Sequence, residues 1–513
     1  MSMTARGRLL AVIFSAGLGG AMTAGPAAAE SLADAIALAY QNNPTLQAQR
    51  ATQRALDENY VQARSGWRPT LTLSGSAAWQ ETRTPAEAAG TNIFGQRNPT
   101  IVNGRVAGAT ATFNQPLWTG GRVAAQVSAA QAEILAGREN LRRIEAQILG
   151  QVVQTYADVR RDEAALAIRA ENVKVLTRQL DESQARFDVG EVTRTDVAQS
   201  QARLAQAQAL FQQSQAQLAI TRATYAQVVG QNPGTLEPEP SLAYLMPSDP
   251  DQAFAVAEQN NPQLRAQEFA EQASRARVAG ARAERLPSVN AQSTLRFQNS
   301  RDDPYERDLY NREFVAGVSV TVPIFNGGLT TSRIRQAIER NNTDRLTTEI
   351  VRRSVLQSIT GAWSQLIAAR ANIASSDEQV RAARIAAEGT RQEQQVGLRT
   401  TIDVLNAEQE LRQAELNQVS ARRDEYVAAA TVLSQMGRLE AKNLTPSVPR
   451  YDPARNFRSL RITWGWVPWE EPIGIVDHFL TPWPAKTAEP KPTEPPIAPG
   501  LRPPPTVPVA ATR

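Results

Sequence analysis

At 513 residues the chain is long enough for three ordinary domains. Only 6% of it is aromatic, however, and Gln, Ala and Arg fill long stretches, which suits extended helices packed side by side better than a thick globular core. A net charge of +4 with acids and bases interspersed argues against nucleic acid as a partner. The lack of cysteine and the single histidine, His478, exclude thiolate nucleophiles, disulfides, Cys/His zinc sites and a Ser-His-Asp triad, so the chain reads as a non-enzyme without cofactor or metal.

In chain order, Arg6 and Arg8 precede an apolar run from Leu9 to Leu18, and Ala27-Ala28-Ala29 offers small residues for cleavage. Residues 1–29 therefore read as a secretory signal, with the mature chain starting near Glu30. The run is well short of the roughly 20 apolar residues that span a bilayer, and no later segment reaches that length without charge. If the mature chain meets a membrane, it must do so as strands.

Two copies of one unit follow, residues 30–240 and 241–440. Gln41-Asn42-Asn43-Pro44 matches Gln259-Asn260-Asn261-Pro262, and Pro69 matches Pro287, at an offset of 218. Gly120-Gly121, Gly190, Asp196 and Gly230 match Gly327-Gly328, Gly397, Asp403 and Gly437 at 207. The difference falls in the loop-like stretch 84–99, so the copies are one structural unit used twice. Each copy predicts a helix of about 35 residues, two strands, a helix of about 64 residues, a glycine turn and a return helix of about 37. The long helices, 124–187 and 331–394, would each run about 96 Å at 1.5 Å per residue, and the return helices cover 193–229 and 400–436.

The strands, expected at 68–80, 104–118, 286–298 and 312–325, alternate with period two. Leu71, Leu73, Ala77 and Trp79 interleave with Thr70, Thr72, Ser74 and Ser76, and Phe314, Ala316, Val318, Val320 and Val322 interleave with Gly317, Ser319 and Thr321. Such segments, with Trp67, Trp79, Trp118 and Phe325 near their ends, fit strands of an outer-membrane barrel, although a small soluble β-sandwich has the same alternation. Four strands are too few to close a membrane barrel, whose smallest examples have about eight, so several subunits must share one. The long and return helices carry heptads (Val152, Val159, Leu166, Val173, Leu180, Phe187; Val197, Leu204, Phe211, Leu218, Tyr225) with small Ser200, Ala207, Ser214 and Thr221 between. The second copy keeps only part of this, in Ile359, Leu366, Ile373 and Val380. A fibrous coiled coil would share the heptads but has no use for the strands.

Between the helices of each copy lie VGEVTRTDV (189–197) and VGLRTTIDV (396–404). Gly190 and Gly397 allow the left-handed conformation that ends a helix, and Thr193 with Asp196, and Thr400 with Asp403, have the spacing of a capping box. Together with the signal, the tandem repeat and the paired strands, these motifs make residues 30 to 440 resemble the TolC family of outer-membrane channels. The resemblance implies a homotrimer in the outer membrane, with a shared 12-stranded β-barrel continued by a periplasmic α-helical barrel. It implies a periplasmic adaptor and an inner-membrane ABC transporter or proton-driven pump as partners, in type I secretion or multidrug efflux.

It also implies that the turns form a periplasmic tip for adaptor docking, through Val189, Gly190, Thr193, Val396, Gly397 and Thr400. Asp196 and Arg399 match an inter-subunit gate constraint, and Asp403 matches an acidic ring at the pore entrance. Gln394 stands where the best-known member has a gate tyrosine, and Asn406 where it has a second acid. Capping accounts for at least part of the role of both aspartates, with the gate reading added to it, and the lesser alternative for Arg399 is an exposed arginine with no partner beside a helix start. An adhesin would confine its strands to one terminal anchor, and a periplasmic adaptor would not repeat at 207 residues.

Residues 441–513 hold 16 of the 31 prolines and cannot continue the helices. The aromatic stretch 449–469 reads as a strap on the outside of the helical barrel, and 491–510 as an extended periplasmic tail. YDPARNF (451–457) resembles an element of type I protein-secretion channels, and the chain lacks the lipidated cysteine common in drug-efflux members. Both features favour protein cargo, with small-molecule efflux as the alternative.

Overall fold

The computed structural model describes residues 30–98, 100–299, 310–445, 448–460 and 462–479, and is mainly helical. The signal and the extended tail lie outside the described residues. The first copy runs α1 (Leu32–Asn42), α2 (Pro44–Arg64), β1 (Thr70–Arg83), β2 (Ile101–Trp118), α3 (Arg122–Asp188) and α4 (Arg194–Val229). The second runs α5 (Pro250–Asn260), α6 (Pro262–Ala283), β3 (Ser288–Asn299), β4 (Tyr310–Thr321), α7 (Leu329–Gln395) and α8 (Thr401–Gln435). Both α3 and α7 have 67 residues, about 100 Å of helix.

The single opening helix of about 35 residues is two helices in each copy. Asn43 and Asn261 precede prolines, which push them out of the helical region, and each becomes the cap of the next helix. Asn43 Oδ1 accepts from the Thr45 and Leu46 amides at 3.0 and 3.3 Å, while its Nδ2 donates to the Val228 carbonyl at 2.9 Å. Asn261 repeats this with Gln263, Leu264 and, at 2.8 Å, Gln435. The duplicated Asn-Pro thus breaks the helix, caps its continuation and pins it to the end of the return helix.

The strand limits differ from expectation where proline intervenes. Pro69 and Pro287, with no amide to donate, hold the starts of β1 and β3 to Thr70 and Ser288, and Pro323 leaves Val322–Phe325 outside β4. Strand β1 runs past 80 to Arg83 and β2 begins earlier than 104, at Ile101, because the two strands stay paired as far as Arg83–Ile101.

The four strands form one antiparallel sheet in the order β1-β2-β3-β4. Its register sorts the two faces. Leu71, Phe113, Ser293 and Ala316 form one row, and Leu73, Ala111, Leu295 and Phe314 the next, with Ala291–Val318 and Val289–Val320 continuing it. The opposite face carries Asn114, Gln292 and Gly317, then Thr72, Thr112, Thr294 and Val315. One face is therefore apolar and the other polar, and Leu71, Leu73 and Phe314 are 73, 79 and 64% exposed. Among the described residues the outer edges, β1 with 14 residues and β4 with 12, have no neighbouring strand within the protomer. Open edges of that length call for pairing with another copy.

The helical hairpins close on small residues at seven-residue steps. The Ser183 and Ser200 hydroxyls meet at 3.1 Å, Leu176 packs with Ala207, and Thr221 donates to buried Asp162 at 2.6 Å. In the second hairpin Ile359, Leu366, Val380, Ala387 and Gln394 are buried on α7, facing a return helix with buried Ala414, Ala421 and Ala428. The seam continues past the point where its apolar pattern fades, because alanine and glutamine hold the later positions. The main core lies nearer the other end, where α1 and α5 pack on α3 and α7 through Ile36, Tyr156, Tyr225, Leu264, Ile359 and Leu433.

After α8 the chain returns along the outside through α9 (Ala441–Leu444), α10 (Ala454–Ser459) and α11 (Glu470–Phe479). Arg50 lies between the rings of Tyr40 and Tyr451, 4.5 and 4.9 Å from their centroids, and Phe457 packs on Tyr60. The strap reaches ten residues beyond the expected 469, to the junction of sheet and helices. There Glu470 pairs with Arg64 and Arg68 at 2.7 and 2.9 Å.

Candidate functional site: the hairpin tips

Both long helices end in the same hydrogen-bond pattern. Gly190, with φ of 84°, donates to the Phe187 carbonyl and Glu191 to that of Arg186, each at 2.9 Å. Gly397, with φ of 80°, donates to Gln394 at 3.0 Å, and Leu398 donates to Glu393 at 2.8 Å. These paired bonds satisfy the last carbonyls of each helix and require a residue that tolerates positive φ.

Each return helix then starts on a threonine and an aspartate. Asp196 Oδ2 accepts from the Thr193 amide at 2.9 Å and its hydroxyl at 2.7 Å, and the Thr193 hydroxyl also bonds the Asp196 amide at 3.3 Å. Asp403 Oδ2 accepts from the Thr400 amide and hydroxyl at 3.1 and 2.7 Å. The Thr193 hydroxyl bond holds the Asp196 carboxyl below the usual aspartate range, and the Thr400 hydroxyl does the same for Asp403, aided by the nearby Arg399 charge. Both tips thus carry an aspartate kept ionised.

Arg399 is exposed but not alone. Its Nε donates to Glu393 Oε2 at 2.8 Å, across the turn, and that bond raises the guanidinium's affinity for its proton. Within one protomer, then, Asp196 is engaged by Thr193 and Arg399 by Glu393, and no described bond joins the two. Gln394 is buried in the last turn of α7. Asn406 accepts from Arg203 at 3.0 Å, and Arg203 also bonds Gln409 at 2.6 Å, tying return helix α4 to α8. Below it Glu408, nearly buried, pairs with Arg391 and, at 3.5 Å, with Arg412. Sequence reasoning missed Arg203, Glu393 and Glu408, because partners on other helices or across a turn leave no local spacing. Val189, Val396 and Leu398 stand out from the tips at 73, 70 and 76% exposure.

The model of the outer membrane efflux protein family matches residues 35–231 and 254–438, both copies of the repeat. The chain belongs to that family. Its members are channel and transport proteins of the TolC type, with the channel in the outer membrane and the helices in the periplasm. The outer membrane efflux protein BepC of Brucella suis is 35% identical over 450 residues, 87% of this chain and 94% of that one. The alkaline protease secretion protein AprF of Pseudomonas aeruginosa is 26% identical over 58% of this chain and 63% of its own. The crystal structure of the Campylobacter jejuni CmeC outer membrane channel superposes with a TM-score of 0.69 at 15% identity, covering 84% of this chain and 89% of that one. The family's relatives thus include efflux and secretion channels, and its efflux-channel fold accounts for the four-stranded sheet and the paired long hairpins.

Proposed function

We propose that this outer-membrane channel is the exit duct of a tripartite type I secretion system, passing protein from an inner-membrane ABC transporter and periplasmic adaptor to the exterior. It acts as a homotrimer. The observation that carries the duct is the four-stranded sheet, apolar on one face and polar on the other, open at both edges and continuous with hairpins about 100 Å long. Pairing β4 of one protomer with β1 of the next closes a ring, and three copies supply twelve strands, above the minimum of about eight. The polar face then lines an aqueous pore. Protein cargo is supported by the YDPARNF element and by the absence of a cysteine for lipid attachment.

At the periplasmic end the exposed Val189 and Val396, on turns set by Gly190, Thr193, Gly397 and Thr400, form the adaptor-docking surface. Asp403 repeats by symmetry as a ring that favours cations, and Asp196 with Arg399 of an adjoining copy holds the entrance narrow. Oligomeric mass and conductance of the purified protein in planar bilayers test the duct. A trimer with small, cation-selective conductance supports it, and a soluble, non-conducting species refutes it. The second reading, an exit duct for a proton-driven small-molecule pump, is favoured by the 35% identity to a relative named as an efflux protein. Deleting the gene separates the two: loss of a secreted protein with unchanged drug tolerance supports secretion, and the reverse supports efflux.

A further inference from the structure

Helix α11 is amphipathic the wrong way round for a helix docked on a protein in water. The side it turns to the body holds Glu470, Gly474 and Asp477, all buried, whereas Pro472, Ile475, Val476 and Phe479 face outward, with exposed Glu471 and His478 along one margin. Ile475, Val476 and Phe479 are 69, 51 and 86% exposed and lie at the i, i+1, i+4 spacing of one apolar stripe. The inward side is held by polar bonds. Asp477 accepts from the Trp67 indole at 3.1 Å, from the amides of Thr119, Gly121 and Ala124 at 2.9, 2.9 and 3.2 Å, and from the Thr119 hydroxyl. Gly474 lets the helix rest on the Trp67 ring, which an added Cβ would approach to 3.2 Å. These contacts fix which side of α11 faces out, and the centre of that side is apolar.

The register of the sheet says what lies on that side. Trp469, just before α11, donates through its indole to Gln115 Oε1 at 3.0 Å. Gln115 pairs with Ala291 and follows Phe113 by two residues, so it belongs to the apolar face of Leu71, Phe113 and Val318, where β2 enters α3. The strap therefore lies on the lipid side of the sheet, at the rim of the strands. The segment before α11 adds Ile462 and Trp464, 69 and 100% exposed, and Trp469, 48% exposed. Tryptophan at such a rim suits a membrane interface, where its apolar ring and polar N–H meet different surroundings.

We propose that residues 462–479 form a membrane-interface collar, with the apolar stripe of α11 and the flanking tryptophans seated in the periplasmic leaflet of the outer membrane. The collar rests on the reading of the sheet as a membrane barrel and extends the lipid contact to a segment outside both repeats. Residues 462–479 contain no lysine or arginine, so the attachment is apolar and independent of anionic lipid.

The chain has no cysteine, so single substitutions can be spin-labelled in the full-length protein. Ile475→Cys, Phe479→Cys and Trp464→Cys would be compared with Leu73→Cys on the barrel and Arg178→Cys on α3, in phosphatidylethanolamine vesicles with and without phosphatidylglycerol. The collar predicts an oxygen-to-nickel-chelate accessibility ratio several-fold above that of position 178 at all three strap positions, unchanged by phosphatidylglycerol. Ratios equal to position 178, with position 73 in lipid, would overturn the collar alone, whereas an aqueous position 73 would overturn the barrel beneath it. Immobilised labels shielded from both reagents would overturn the collar in favour of cover by a second copy.

Discussion

Asp477 carries more bonds than any other described side chain of the strap, and replacing it with asparagine isolates their worth. Its two oxygens share the Trp67 indole, three backbone amides at and before the start of α3, and the Thr119 hydroxyl, in a fully buried setting. Asparagine has nearly the same shape, but one oxygen becomes an NH2 group. Whichever way it turns, at least two N–H donors face another donor: the Thr119 and Gly121 amides on one side, or the indole and the Ala124 amide on the other. A buried donor left unpaired costs about 1–3 kcal/mol, and the charge at the start of α3 is lost as well, so α11 should be weakened by about 4 kcal/mol. At about 1.4 kcal/mol per tenfold, its open fraction should rise roughly a thousandfold. Hydrogen exchange of a peptide spanning 470–479 reads that fraction directly, with peptides from α4 unchanged. His478→Ala, at an exposed neighbour, should leave the rate alone. Exchange of the Asp477→Asn strap within threefold of the parent would refute the trans-capping argument.

Asp196→Ala and Arg399→Ala should each raise single-channel conductance, and unchanged conductance in both would leave these residues only their capping and Glu393-pairing roles. Asp403 should keep its charge into acid. Its native pKa is lowered from 3.8, so its contribution to the first turn of α8 is full above about pH 5 and is lost as pH falls through the lowered value. Cation selectivity should weaken in Asp403→Asn, and unchanged selectivity would leave Asp403 only its capping role. Gly437→Ala should destabilise the protein by about 2 kcal/mol or more. Gly437 has φ of 68°, and a Cβ there would collide with the Asn260 carbonyl; an unchanged thermal midpoint would show that this turn can relax.

Local chemistry makes much of this protein legible in its sequence. The glycine turns, the Thr193–Asp196 and Thr400–Asp403 pairs and the alternating strands are written within three to seven residues of one another, and the duplication repeats those local signals at offsets of 207 and 218. Capping and periodicity are short-range effects, so a single chain displays them. The tip was therefore readable as a turn, but the partner of Arg399 was not, since Glu393 lies six residues back across a bend that no helical spacing describes. The break in the opening helix is local too, since the Asn-Pro pairs that mark the duplication also end one helix and cap the next through Oδ1, and only the Nδ2 bonds to Val228 and Gln435 lacked a local spacing.

Tertiary structure alone decided the rest. Pairing register brought the apolar residues of four separated strands onto one face, and it placed Gln115, and with it Trp469, on that side. Asp477 and Thr119 are 358 residues apart, and a carboxylate that caps a helix so distant leaves no period or spacing to find. In sequence, the strap is a proline-rich stretch with scattered aromatics. Folded against α3, its charged side is consumed by the body and its apolar side is left facing outward, because burial depends on what the chain returns to.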